Sequence, residues 1–246
     1  MKILSIGNSF SVDAHAYLHA LAKQRGIDLI TVNLAIGGCS LQMHWENVEN
    51  NVAKYGHSIN GGDFAERDVT VKEIIEAEQF DIVTLQQVSH LAGQYESYQP
   101  YLNSLIEYVR SKQPNADLYF QRTWSYEIDS THSEFYRYEG DQRKMYNEVC
   151  RATKQACDET GITLIPSGDV IQALREDIPK FDYKNGGESL CIDGFHMSHT
   201  YGRYAVALTW LVTLMGKRAE PLPFMDLDFD IVTQICKAVN KIVLGK

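Results

Sequence analysis

Two short segments far apart in the chain carry residue types that could act on one another. The first is SIGNSFS, residues 5 to 11, where an apolar run stops at once in Gly7, Asn8 and Ser9. A serine at the end of a strand, just ahead of a helix, can show its hydroxyl to a crevice while its own N–H points at an anion. The second is CIDGFHMS, residues 191 to 198, in which Asp193 precedes His196 by three residues in a glycine-containing turn. A carboxylate so placed can fold back onto Nδ1–H of the imidazole, fix its tautomer and leave Nε2 free to take a proton from a hydroxyl. Nucleophile, base and orienting carboxylate are the three parts of a serine-hydrolase triad. Each segment alone also has a plainer reading. Ser9 or Ser11 could cap the following helix, Asp193 with His196 could close a helix entry, and His196 with His199 forms a weak metal pair lacking an acidic partner.

For the two segments to meet, the chain must bring them to one rim. Short β-branched runs alternate with longer amphipathic ones, the pattern of βα units around a buried parallel sheet. Strands are predicted at Lys2 to Ile6, Leu29 to Leu34, Asp81 to Leu85, Leu118 to Thr123 and Thr163 to Ile165. Helices are predicted at Asp13 to Lys23, Val71 to Glu78, Tyr98 to Lys112, Asp141 to Glu159, Ser167 to Arg175, Tyr201 to Met215 and Asp230 to Leu244. The expected fold class is α/β, a three-layer α/β/α sandwich on a five-stranded parallel sheet, in a single domain over residues 1 to 246. Ligands of such sheets bind at the carboxyl ends of the strands, which singles out the loops 7–11, 35–42, 86–93 and 124–140. The stretch from Tyr55 to Asp68, with Asn60-Gly61-Gly62-Asp63, carries a hairpin-type turn signal.

These segments resemble blocks of the SGNH hydrolases, also called the GDSL esterase/lipase superfamily: IGNSFS near the start, AIGGCSL after the second strand and DGFHMS near the end. More narrowly, the chain is similar to a bacterial branch known as a domain of unknown function. The resemblance implies a flavodoxin-like sheet, Ser9 as nucleophile, His196 as general base and Asp193 as its orienting carboxylate. It also implies an oxyanion hole from the N–H groups of Ser9 and Gly38, with Asn8 standing where many members carry Asp. The third block departs from the pattern. Many members place Gly-x-Asn-Asp after the third strand, whereas this chain reads VTLQQVSH, so Gln86 or Gln87 is the expected amide donor. Some carbohydrate acetylesterases of the superfamily also have Gln there, which points to acylated sugars. The implied activity is a serine esterase that removes a small acyl group, acetyl being the expected one, through an acyl-enzyme and without metal or organic cofactor. The alternatives are a lipase or thioesterase of the same superfamily, and a carbohydrate-binding member without catalysis.

The long loop TWSYEIDSTHSEFYRYEG, residues 123 to 140, is too long for a plain connector and supplies Trp124 and Tyr126 as candidate sugar-stacking residues. His44 and His90, together with Asn8, complete the candidate substrate-binding set. Composition narrows the partners. The chain has 246 residues, 44% hydrophobic and 22% charged, with formal net charge −9. A polyanion would be repelled, which argues against nucleic acid or an acidic membrane surface as partner and leaves a small-molecule or glycan ester. No apolar run approaches the roughly 20 residues of a membrane span. Five scattered cysteines without a CxxC spacing form neither a zinc site nor a disulfide framework. No signal peptide precedes the first strand, which points to the cytoplasm, or to secretion or the periplasm if a leader has been removed.

Overall fold

The computed structural model describes residues 1–245. Its centre is one sheet of six strands, β1 (Lys2–Gly7), β2 (Ile30–Ala35), β3 (Gly56–Ile59), β4 (Ile82–Gln86), β5 (Asp117–Gln121) and β6 (Thr163–Ile165). Their order across the sheet is β3-β2-β1-β4-β5-β6. Five run parallel, in the flavodoxin-like arrangement expected of right-handed βαβ crossovers. The sixth, β3, is a correction to the five-stranded expectation. It pairs antiparallel with β2, Leu34 opposite His57, and comes from the stretch that carries the hairpin signal. GHSI has no apolar alternation to mark it, and an edge strand does not need one.

Within β1 the period-2 rule sends alternate side chains to opposite layers. Ile3 joins a core built with α1 (Ser9–Gln24), α6 (Ser167–Asp177), α7 (Tyr201–Met215) and α8 (Phe229–Leu244). Leu4 and Ile6 join a second core with α2 (Leu41–Glu49), α3 (Val71–Ala77) and α4 (Tyr101–Lys112). The long helix α5 (Gln142–Thr160) feeds both, with Met145 and Val149 in the first and Ala152 and Ala156 in the second. The result is three layers. Helix α7 is buried from Tyr201 to Val212, except for Arg203. That explains its almost continuous apolar sequence, since it is wedged among α1, α6 and α8.

Helix α4 begins at Tyr101 rather than Tyr98, and two larger departures from expectation lie beside the strand ends. Helix α1 begins at Ser9 rather than Asp13, because Asn8 takes the cap position and its Oδ1 accepts from Phe10 N at 3.1 Å. The capping serines considered for this turn are therefore not caps. Ser11 donates from Oγ to Asn8 O and Asn33 Oδ1, both at 2.8 Å. Helix α2 forms where a loop is expected after β2, capped by Ser40, whose Oγ accepts from Met43 N. Among the described residues no helix is long and apolar enough to cross a membrane.

Candidate active site

The carboxyl ends of β1, β2, β4 and β5 and the loop ahead of α7 converge on a cavity of about 410 Å³. Its lining includes Asn8, Ser9, Gly37, Gly38, His90, His132, Phe195 and His196. Ser9 is the first residue of α1, so its N–H is among those that no helical carbonyl can reach. It stands there because β1 ends at Gly7, where a Cβ would lie 2.6 Å from Ser11 Oγ. Only glycine lets the chain turn from strand into helix this tightly. Gly38 follows β2 with φ of +65°, left-handed backbone that favours glycine. Among the described residues neither Ser9 N–H nor Gly38 N–H has a hydrogen-bond partner.

The loop that carries Asp193 and His196 is a small hairpin ahead of α7. Cys191 and Met197 face each other across it, Ile192 N donates to His196 O and Ser198 N donates to Leu190 O. At its tip Asp193 Oδ1 accepts from Phe195 N at 3.1 Å and from His196 N at 2.8 Å, while Oδ2 lies 2.7 Å from His196 Nδ1. Burial pushes the Asp193 carboxyl up, but the His196 backbone N–H, the His196 ring and the Phe195 N–H outweigh it, and the group is held below the usual carboxylate range. Gly194, at φ +87°, permits the turn, and a Cβ there would lie 2.9 Å from Ser130. No hydrogen bond within the described residues uses Ser9 Oγ or His196 Nε2. Both residues line the same cavity.

Neither of the two glutamines expected as oxyanion donors is among the residues that line that cavity. Gln87 Nε2 donates to Ser97 O and Oγ, and its Oε1 accepts from Leu41 N and Val88 N. Gln86 Nε2 donates to Asn8 Oδ1 at 2.5 Å, and Asn8 Nδ2 in turn donates to Cys39 O at 3.1 Å. The two amides therefore brace loops. One joins β4 to the Asn8 cap and the Gly38–Cys39 loop, and the other ties β4 to the start of α2.

Three aromatic candidates are likewise not at the cavity. Trp124 is fully buried, stacked on Phe10 with ring centroids 4.3 Å apart, and donates from Nε1 to Phe195 O at 2.7 Å. Tyr126 is buried and bonded to Ser89 Oγ at 2.8 Å. His44 is buried behind the Gly38 loop, with Nδ1 2.9 Å from Tyr55 Oη and 3.4 Å from Cys39 Sγ. Aromatic rings in an irregular segment find their apolar surface in the domain itself. His90 does reach the cavity, and so does His132, which sequence reasoning passed over. Their rings lie 6.1 Å apart, and His132 also meets Phe195 edge-on at 4.8 Å. Burial lowers the pKa of both imidazoles despite the nearby Glu134 carboxylate. The signal for His132 was the length of the loop that holds it. Among the described residues no cluster of three or more His, Cys, Asp or Glu side chains could hold a metal ion.

A flavodoxin-like sheet whose strand ends present Ser9, Gly38 and an Asp-x-x-His hairpin around one cavity has the α/β/α fold of the SGNH hydrolases. Solved structures agree on the fold. A protein from Slackia heliotrinireducens assigned to the SGNH hydrolases superposes with TM-score 0.59 at 21% identity, over 87% of this chain and 98% of that one. An acetylxylan esterase from Geobacillus stearothermophilus superposes with TM-score 0.54 at 15% identity, over 85% and 92%. The chain itself belongs to the DUF4886 family, a domain of unknown function whose profile matches residues 2–234. A DUF4886 protein from Bacteroides uniformis ATCC 8492 is 34% identical over 100% of this chain and 95% of that one, with TM-score 0.89. No curated protein sequence gives a significant match.

Proposed function

We propose that the protein is a serine esterase that hydrolyses a small acyl ester, an acetyl group on a carbohydrate being the substrate class favoured. One observation carries this reading: Ser9 Oγ and His196 Nε2 have no partner within the described residues and line one cavity, while Asp193 holds the other ring nitrogen at 2.7 Å. His196 Nε2 accepts the Ser9 hydroxyl proton as Oγ forms a bond to the ester carbonyl carbon. The oxyanion is met by the N–H groups of Ser9 and Gly38. Collapse of the tetrahedral species breaks the bond to the leaving alkoxide, which takes the proton from His196. Water then attacks the acyl-enzyme by the same route and restores Ser9.

Two preorganised backbone donors suffice for the hole in this mechanism, with Gln86 acting through Asn8 on the loops that carry them. The cavity size suits a short acyl chain, and its wall mixes the polar side chains of Ser89, His90, His132 and Ser133 with the apolar ones of Phe10, Val88 and Phe195. The acetylxylan esterase with the same fold supports the choice of acetylated sugars.

The test is hydrolysis of p-nitrophenyl acetate, butyrate and octanoate and of acetylated glycans, with acetate release as readout. The expected result is preference for acetate and abolition in Ser9→Ala, with a fluorophosphonate label on Ser9. Label on another serine, or Ser9→Ala as active as the wild type, would refute the mechanism. A preference for octanoate would replace the substrate class.

A further inference from the structure

Asp13 is a buried carboxylate that the triad does not use. It lies on α1 one turn beyond Ser9, so its position along the helix is fixed relative to the nucleophile. Its Oδ2 accepts from Met197 N at 2.8 Å, and its Oδ1 accepts from Arg203 Nε at 2.9 Å. Met197 is the residue after His196, and Arg203 is in the first turn of α7, which follows the base loop. One carboxylate thus joins the nucleophile's helix to both ends of the segment between the base and α7.

The other bonds of the base loop set its shape or tie it to elements other than α1. The Asp193 bonds, the Ile192–His196 bond and the Ser198–Leu190 bond lie within the hairpin and fix its shape, and Glu127 N, which donates to Gly194 O at 2.7 Å, ties its tip to the loop after β5 rather than to α1. Trp124 joins Phe195 O to Phe10 through a ring stack, a contact with less directional demand. The Asp13 bond to Met197 N is a directional link from α1 to the hairpin itself, next to the base, whereas Tyr17 Oη donates to His199 O just beyond it.

The side chain is only 2% exposed, so burial raises its pKa, and the Met197 N–H and the Arg203 guanidinium pull the other way. A buried carboxylate that accepts from two donors is costly to retain unless those donors need it.

Resting on the esterase reading, we propose that Asp13 is a positioning residue for the reaction: it holds the His196 hairpin at the register over Ser9 that proton transfer requires. In Asp13→Asn the amide can accept from only one of the two donors and turns an N–H toward the other. The hairpin is then displaced while Ser9, Asp193 and His196 remain present.

The experiment compares wild type, Asp13→Asn, Asp13→Glu and Arg203→Gln. For each, p-nitrophenyl acetate gives kcat and KM, fluorophosphonate titration counts competent sites, and thermal unfolding gives Tm. Asp13→Asn is expected to lower kcat per titrated site by about 10²-fold, the order found for small misplacements of reacting groups, and to slow labelling in parallel while KM changes little. Arg203→Gln, which leaves the Met197 bond in place, should cost less. Asp13→Glu keeps the charge but moves the carboxylate by one methylene, and should show the same loss of kcat if the Asn variant does not fold. The inference is overturned if lost activity in the Asp13 variants is matched by lost sites, with the rate per site unchanged. If the wild type hydrolyses no ester and takes no label, the esterase reading fails separately. Asp13 is then read from the low-field proton signal of His196 Nδ1–H, which should weaken in Asp13→Asn and whose persistence unchanged would overturn the proposal.

Discussion

Acidification should unfold this protein through two histidines that never meet solvent. His15 and His44 are both fully buried, and burial lowers the pKa of each to about 3. His15 sits under β1 with Nε2 2.6 Å from Ser5 Oγ, and His44 sits behind Cys39 in the loop that carries Gly38. In the unfolded chain an imidazole titrates near 6.5. Between about pH 6.5 and 3 the unfolded state therefore binds protons that the folded state does not, so stability rises with pH in that window and is lost as pH falls through it. Worked with those two values, each histidine removes about 2 kcal/mol between pH 7.5 and pH 5, about 4 kcal/mol for the pair. That is a large share of the roughly 5–15 kcal/mol that holds a typical domain together. His90 and His132, half-buried and shifted the same way, add to the loss, whereas Asp13, whose pKa is raised, opposes it at the acid end. Urea unfolding at pH 7.5 and 5 measures the drop, and His15→Gln should roughly halve it. A wild-type difference below about 1 kcal/mol would mean that neither imidazole is as dehydrated as its packing implies.

Other outcomes follow from the site. Asp193→Asn keeps the shape of the hairpin tip but favours the wrong His196 tautomer, and should cut kcat by about 10⁴-fold, as measured in other triads; steady-state kinetics on p-nitrophenyl acetate decides it. Gln87→Ala leaves the buried N–H groups of Leu41 and Val88 without an acceptor and should cost about 1–3 kcal/mol for each donor left unmet, seen as a lowered Tm. Its kcat per folded molecule should change little, and a loss of about 10²- to 10³-fold at unchanged Tm would return Gln87 to the oxyanion hole.

What the chain disclosed in one dimension depended on how local the chemistry is. Asp193 and His196 are three residues apart, so their pairing is a property of one turn, and the turn shows its glycine. Ser9 was legible because the strand before it ends so abruptly. Donor competence is not local in this way. Whether Gln86 or Gln87 faces a ligand depends on Asn8, Ser97 and Leu41, which are distant in sequence and compete for the same amides. Trp124, Tyr126 and His44 failed as pocket candidates for a related reason, because residue type does not say which side of a loop meets the core. The parallel strands were visible as buried apolar runs, but β3 was not, since half-exposed GHSI has nothing to alternate. Helix α2 was obscured by its polar sequence, LQMHWENVE, which buries only Leu41 and His44.

The Asp13–Met197 bond joins positions 184 residues apart, which has a consequence for the order in which the molecule comes into being. A ribosome working at about 5–20 residues per second exposes Ser9 and the Gly38 loop roughly 10–40 s before the base hairpin has been made. During that interval the strand and helix that flank Ser9 have no His196 beside them, and α1 lacks the α7 surface it packs against. In the proposed esterase, competence at Ser9 therefore arrives at one moment late in synthesis, together with the closing of the core around α7. A nascent or truncated chain that stops before that point carries the serine without the means to use it.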